Sequence, residues 1–179
     1  MITEAQRKDW IDKGYDVSTL KHRELLAEVI DSYWPFTGLL DVGCATGADL
    51  TLYRMLFPTH LHGFDIDQGN IMRGKELRGE LEYSLEVGDL RKALKTLKTK
   101  DDMDIVVSNG VLMYVEPEWI KELMRIAKKA VILSEKDPYK GKSISKFLKE
   151  SNIEYKTTKI TKEVRQSWAN DGFIYEICL

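Results

Sequence analysis

The sequence predicts an α/β domain: a seven-stranded, mostly parallel sheet with helices on both faces and an antiparallel C-terminal strand. Three observations carry this expectation. Strand-like and helix-like segments alternate through the middle of the chain, and parallel neighbours need crossover connections. An apolar run, Leu39-Leu40-Asp41-Val42, opens into a glycine-punctuated turn, Gly43-Cys44-Ala45-Thr46-Gly47. Polar or small residues also stand where four successive strands would end: 41–47, Asp65, Gly88-Asp89 and Asn109-Gly110.

The elements follow in order. Leu26, Val29, Ile30 and Tyr33 fall at i, i+3, i+4 and i+7, so residues 20–33 read as an amphipathic helix stopped before Pro35. Residues 39–42 are the first strand. Leu50, Tyr53 and Phe57 continue a helix from residue 47 toward Pro58. Residues 61–66 form a second strand ending on Asp65 and Asp67, a weaker helix covers 69–78, and 82–87 supply a short third strand. Leu90, Leu94 and Leu97 mark the buried stripe of the next helix. Residues 103–108 are nearly continuous in apolarity, as a central strand covered on both faces should be. Pro117 suits the first turn of a helix in which Ile120, Leu123, Met124 and Ala127 share one face. A fifth strand covers 130–134, and Ile144, Phe147 and Leu148 mark a helix over 142–151. Residues 153–160 and 173–179 are the last two strands. No full helix separates them, so an antiparallel ending is expected, with 161–172 looping out.

A chain of 179 residues suits one domain, 1–179, since domains usually run about 100 to 200 residues. Residues 1–34 form an N-terminal arm and helix that could serve as a lid. No apolar run approaches the ~20 residues that span a bilayer, and the polar first residues lack a signal-peptide core. A cytoplasmic location without a membrane partner is the expectation. Cys44 and Cys178 are too few and too far apart for a disulfide framework and read as structural thiols. His22, His60 and His62 show no metal-ligand spacing, so no metal is expected.

The net charge of −2 recruits no nucleic acid in bulk. Its distribution is uneven: residues 1–90 hold 9 basic and 16 acidic side chains, and the remainder hold 18 and 13. Lys140, Lys142, Lys146, Lys149, Lys156, Lys159, Lys162 and Arg165 form the densest basic tract, read either as a solvated face or as a rim attracting an anionic substrate.

In open α/β sheets, ligands lie beyond the carboxyl ends of the strands, near the point where strand order reverses. A buried strand leading into a tight, small-residue turn is one way to bring main-chain N–H groups against a nucleotide-like ligand. Blander readings stay open: Asp65 and Asp67 as helix caps, and Gly88-Asp89 as an ordinary turn. A dinucleotide-binding fingerprint would need glycines where Ala45 and Ala48 stand.

With these motifs, residues 20–179 resemble a class I S-adenosylmethionine-dependent methyltransferase, a Rossmann-like three-layer sandwich. The family's first motif is an acid, one residue, glycine, then small residues ending in glycine. Asp41-Val42-Gly43-Cys44-Ala45-Thr46-Gly47 matches it with Ala45 in place of the middle glycine, which suggests an ordinary backbone conformation there. The resemblance implies S-adenosylmethionine as cofactor. Asp41, Gly43, Cys44, Ala45, Thr46 and Gly47 would border its methionine part, and Asp65 would accept both ribose hydroxyls, two acceptor oxygens matching two vicinal donors. Ile66 and Leu90 would sandwich the adenine, Asp89 would accept from its amino group, and Gly88, Asn109 and Gly110 would complete the site.

Ser108-Asn109-Gly110-Val111-Leu112-Met113-Tyr114-Val115 resembles the equivalent segment of small-molecule and sugar methylases and departs from the N/D-P-P-Y/F segment of DNA and many RNA or protein amino-methylating enzymes. A small-molecule or sugar acceptor is therefore implied. A nucleic-acid methylase, or a cofactor-binding protein without transferase activity, is the alternative. Tyr114 would flank the methyl group or the acceptor, aromatic faces suiting a sulfonium cation, or else sit in the core. Glu135 would orient or deprotonate an acceptor, or else cap a helix or stand at the surface. Trp10 and Tyr15 would close over the site, or simply pack the N-terminal arm. No catalytic base is identified, and a monomer or homodimer is expected.

Overall fold

The computed structural model describes residues 19–78, 83–90, 92, 103–161, 163–164 and 172–179. Trp10, Tyr15 and most of the helix expected after Leu90 lie outside the described residues. In chain order the elements are α1 (Leu20–Asp31), β1 (Gly38–Val42), α2 (Ala48–Leu56), β2 (His60–Asp65), α3 (Gln68–Arg78), β3 (Ser84–Val87) and β4 (Ile105–Asn109), then a 3-10 turn (Leu112–Tyr114), α4 (Trp119–Ile126), β5 (Ala130–Lys136), α5 (Ile144–Glu150), β6 (Lys156–Ile160) and β7 (Gly172–Cys178).

The seven strands form one sheet in the order β3-β2-β1-β4-β5-β7-β6. Strands β1 to β5 pair in parallel, while β7 runs antiparallel to both of its neighbours, β5 and β6. The strand order reverses between β1 and β4, so the crevice beyond their carboxyl ends is where the topology places a ligand. Composition explains which terminal strand goes inside. β7 buries Ile174, Tyr175 and Ile177 and can be covered on both faces, whereas β6 reads Lys-Thr-Thr-Lys-Ile and is mostly exposed. Lysines on an edge strand also discourage pairing with another chain.

Alternation along the strands divides the core into two clusters. Leu39, Ile105, Val107, Ala130, Ile132 and Ile174 join Leu26, Ile30, Leu50 and Tyr53 from α1 and α2 on one face. Leu40, Val42, Val106, Val131 and Leu133 join Ile120, Leu123 and Leu148 from α4 and α5 on the other. In α4, Ile120, Leu123 and Ile126 are buried on one stripe, each contributing about 1.5 to 3 kcal/mol by leaving water.

Gly63, in β2, lies under Leu50 of α2 and Cys44 of the β1 turn, with no space for a side chain. A Cβ there would stand 2.5 Å from Leu50 Cδ1 and 2.8 Å from Cys44 Sγ. Gly63→Ala is therefore expected to destabilise the domain by about 1 to 3 kcal/mol through overpacking. A urea midpoint equal to that of wild type would contradict this packing.

Candidate functional site

The turn after β1 is fastened to the end of β2. The Gly43 and Cys44 N–H groups both donate to the Phe64 carbonyl, at 2.8 and 3.1 Å, and the Ala45 N–H donates to Asp65 Oδ2 at 2.9 Å. The Gly47 N–H closes the turn on the Cys44 carbonyl at 2.7 Å. These donors are used within the fold, so at 43–45 the turn offers a ligand close approach and not the expected array of amides.

Ala45 has a φ of +48°, between Gly43 at +74° and Gly47 at +73°. An ordinary backbone at Ala45 is thus corrected to a left-handed one. The left-handed region costs an alanine roughly 1 to 2 kcal/mol, while a hydrogen bond to a charged acceptor returns roughly 1.5 to 3. Aiming the Ala45 amide at the Asp65 carboxylate therefore wins. Gly43 has a second constraint, because a Cβ on it would meet Val111 Cγ2 at 2.1 Å. Here the turns following β1 and β4 touch.

The two acids at the end of β2, Asp65 on its last position and Asp67 just beyond, divide their tasks. Asp67 Oδ1 accepts from the Gly69 and Asn70 N–H groups, at 2.7 and 3.1 Å, at the start of α3. Asp65 turns the other way: Oδ2 holds Ala45, and Oδ1 accepts from the Asp67 N–H at 2.8 Å. Each Asp65 oxygen has two lone pairs, so both keep acceptor capacity beyond these contacts.

The strand ends enclose a cavity of about 660 Å³. Of the expected cofactor residues, Gly43, Ala45, Asp65, Ile66, Gly88, Asp89, Leu90, Asn109 and Gly110 line it, and so does Tyr114. Ile66 and Tyr114 are 66% and 71% exposed, large apolar surfaces left uncovered in a concave site. Val42, Phe64, Val111, Val115, Glu116 and Trp119 complete the wall, Val111 and Val115 falling in the 108–115 segment without having been assigned a role. The signal for Glu116 and Trp119 was position alone, shortly after that segment.

Asp41, Cys44, Thr46 and Gly47 do not line the cavity. Cys44 is buried beneath the turn, and burial, reinforced by the nearby Asp41 and Asp65 carboxylates, pushes its thiol up, as suits a structural thiol. Glu135 is fully buried and also absent from the cavity wall. Its Oε1 accepts from the Val111 and Leu112 N–H groups at 2.9 and 3.0 Å and from Ser108 Oγ at 3.1 Å. The expected acceptor contact is therefore corrected: Glu135 holds the turn that shapes the cavity. Strand β5 extends through Lys136, so Glu135 falls on the inward face shared by Val131 and Leu133.

Beneath the turn lies a polar cluster on the α1 side of the sheet. Arg23 pairs with Asp49, whose other oxygen accepts from Asn109 Nδ2 at 2.8 Å, and His22 Nε2 lies 2.6 Å from Ser134 Oγ. Asp41 Oδ2, buried in the same region, has no hydrogen-bond partner among the described residues. Burial, aided by Asp49, pushes the Asp41 carboxyl well above its ordinary 3.8 against the pull of Arg23. Burial also pushes on Asp49, but Arg23 and Asn109 outweigh it and hold that carboxyl low.

The two acids therefore have opposite linkage to pH. A raised carboxyl favours the fold at low pH and loses that contribution as pH rises through its folded value; a lowered one contributes above the unfolded value and loses it on acidification. Asp41→Asn should hold its stability from about pH 5 to about pH 8 while wild type declines relative to it. Asp49→Asn, which strands Arg23, should lose about 2 to 4 kcal/mol at neutral pH. Urea denaturation between about pH 5 and about pH 8 checks the first sign, and extending it below about pH 4, where the deficit of Asp49→Asn relative to wild type should shrink, checks the second.

A family model for a methyltransferase domain matches residues 37–173. No curated protein matches the chain. Among solved structures, it is similar to the PH0226 protein from Pyrococcus horikoshii OT3, with a TM-score of 0.70 at 16% identity over 99% of both chains. It is also similar to magnesium protoporphyrin IX methyltransferase from Synechocystis PCC 6803, solved with bound SAM, with a TM-score of 0.64 at 19% identity over 89% of this chain and 80% of that one. A SAM-dependent methyltransferase from Archaeoglobus fulgidus gives a TM-score of 0.65 at 16% identity over 88% and 92%. These likenesses establish the fold, and the domain match, which spans most of the chain, establishes the family: the chain belongs to the S-adenosylmethionine-dependent methyltransferases.

Proposed function

We propose that this protein transfers the methyl group of S-adenosylmethionine to a small-molecule acceptor. The observation that carries this reading is the Asp65 carboxylate, held on both oxygens by backbone amides yet facing the cavity with acceptor capacity to spare, beside an uncovered Ile66. A rigid two-oxygen acceptor suits a ribose diol, and Ile66 with Leu90 suits the faces of a purine. These residues fit the cofactor. When bound, S-adenosylmethionine supplies a methyl carbon made electrophilic by its sulfonium sulfur.

What remains for the chain is to hold an acceptor atom in line and to exclude water. The walls beyond β4, with Val111, Tyr114, Val115 and Trp119, are largely apolar and serve both ends. Tyr114 also presents an aromatic face suited to a sulfonium cation. The acids among the lining residues are Asp65 and Asp89, on the cofactor side, and Glu116. This inventory supports catalysis by positioning.

A small acceptor is also supported by how the basic tract is spread. Lys140 and Lys142 stand beyond β5, Lys146 and Lys149 lie on α5, where Lys146 pairs with Glu150 at 3.8 Å, and Lys156 and Lys159 lie on the edge strand β6. A single domain over 1–179, a cytoplasmic location and a monomer or homodimer belong to the same proposal. No helix among the described residues is long and apolar enough to cross a membrane.

Calorimetric titration with S-adenosylmethionine tests the reading. Wild type should bind, and Asp65→Ala should weaken binding by about tenfold or more, the loss of hydrogen bonds to a charged acceptor being worth about 1.5 to 3 kcal/mol. No binding by wild type, or undiminished binding by a folded Asp65→Ala variant, would refute it.

A further inference from the structure

The cavity lining continues past the cofactor-binding strand ends to Tyr114 and Glu116, and these two residues touch a second element, the segment between β5 and α5. Residues Tyr139 and Lys142 face each other across a two-residue hairpin, each N–H donating to the other's carbonyl at 3.0 Å. The two central residues, Lys140 at φ +48° and Gly141 at φ +81°, both have the positive φ that such a turn requires. A glycine meets that requirement without strain, whereas lysine does not. A non-glycine residue held in this region invites a functional reading.

The hairpin is fixed against the cavity mouth. Lys142 Nζ pairs with Glu116 Oε1 at 2.8 Å and donates to the Val115 carbonyl at 3.2 Å, tying the hairpin to two residues of the cavity wall. Below it, the buried Asp137 accepts from the Ile144 and Ser145 N–H groups at 3.1 and 2.9 Å and from the Tyr175 hydroxyl. So held, Tyr139 sets its ring edge-on to Tyr114, with centroids 6.4 Å apart, and collects two ammonium groups, Lys140 Nζ at 5.2 Å and Lys136 Nζ at 6.0 Å from its centroid. Glu116 answers the charge of Lys142. Lys136 and Lys140 concentrate positive charge one ring away from an exposed aromatic platform, on a chain whose net charge is −2.

We propose that this hairpin selects the acceptor: a flat, largely apolar small molecule that lies against Tyr114 and carries a carboxylate or phosphate reaching Lys136 and Lys140. The inference rests on the methyltransferase reading above. An ammonium on a long stem can meet an anion at the rim while the aromatic pair takes the apolar body. Lys136 and Lys140 act as specificity residues, set around the Tyr139 ring.

The test uses the full chain and simple probes: benzoate, phenyl phosphate, the uncharged benzyl alcohol, and inorganic phosphate. Each is titrated with and without saturating S-adenosylhomocysteine and followed by ligand-observed NMR. Wild type should bind benzoate and phenyl phosphate about tenfold more tightly than benzyl alcohol, a preference that shrinks with added salt. In Lys136→Ala/Lys140→Ala the preference should fall below about threefold while the affinity for S-adenosylhomocysteine stays at the wild-type value. Tyr114→Ala should weaken all three aromatic probes together. Equal binding of benzoate and benzyl alcohol by wild type, a preference that survives in the double variant, or inorganic phosphate binding as tightly as phenyl phosphate would overturn the proposal. Failure of wild type to bind S-adenosylhomocysteine would instead refute the methyltransferase reading, since the charge preference is also measured without it.

Discussion

The attachment of the β1 turn to the end of β2 sets the geometry on which the site depends. Three consecutive amides, at Gly43, Cys44 and Ala45, are spent on Phe64 and Asp65. This sharp return requires positive φ at Gly43 and Ala45 and leaves no room for a side chain at Gly43, against Val111. The same carboxylate that fixes the turn then faces the cavity. Preorganisation and recognition are thus one arrangement: a side chain already held by two amides loses little further rotamer freedom on meeting a ligand.

Two buried acids extend that logic behind the wall. Glu135 satisfies the Val111 and Leu112 amides, which would otherwise be orphan donors at the start of a short 3-10 turn. Asp49 takes the Asn109 amide and the Arg23 guanidinium, so α1 is bound electrostatically to the end of β4. Both carboxylates sit where a backbone segment leaves the sheet, one on each face. Buried polar groups here position the loops that form the site, a task the apolar clusters of the two faces cannot do, because dispersion and apolar burial are non-directional.

The sheet was readable in the sequence because each strand is short, apolar and bounded by turn residues, and Ile105 to Val107 in particular could be nothing but central. The strand-end acids were readable because a parallel sheet puts every carboxyl end at one edge. What the sequence hid was direction. Whether the Ala45 amide points to ligand or to Asp65 is decided by φ, and alanine gives no signal for a left-handed residue. Arg23 and Asp49 are partners across 26 positions, a contact set by how α1 lies on α2. Glu135 was misplaced because β5 runs two residues past residue 134 in a sheet covered on both faces; period-two alternation then sets it on the face of Val131 and Leu133, where it is buried. The stretch from 136 to 145 reads in the sequence as a loop bordering the acceptor site, but its folding into a hairpin at 139–142 does not, because Lys140 stands in a left-handed position where Asn, Asp or Gly would announce the turn and Gly141 alone is a weak signal.

The lysine-rich C-terminal half shows why a charge run has to be read by place. Lys156 and Lys159 lie on β6, an edge with unsatisfied backbone groups, where positive charge repels a pairing strand and needs no ligand to explain it. Lys149 stands in the last turn of α5, where a cation complements the exposed carbonyl ends. Those charges belong to the stability of their elements. Lys140 has no such duty: its backbone is strained, its side chain is exposed, and its ammonium sits over a ring that the cavity wall positions. A residue whose local conformation is unfavourable, and whose charge supports neither a helix end nor a strand edge, is the one whose charge most needs a reason outside the fold.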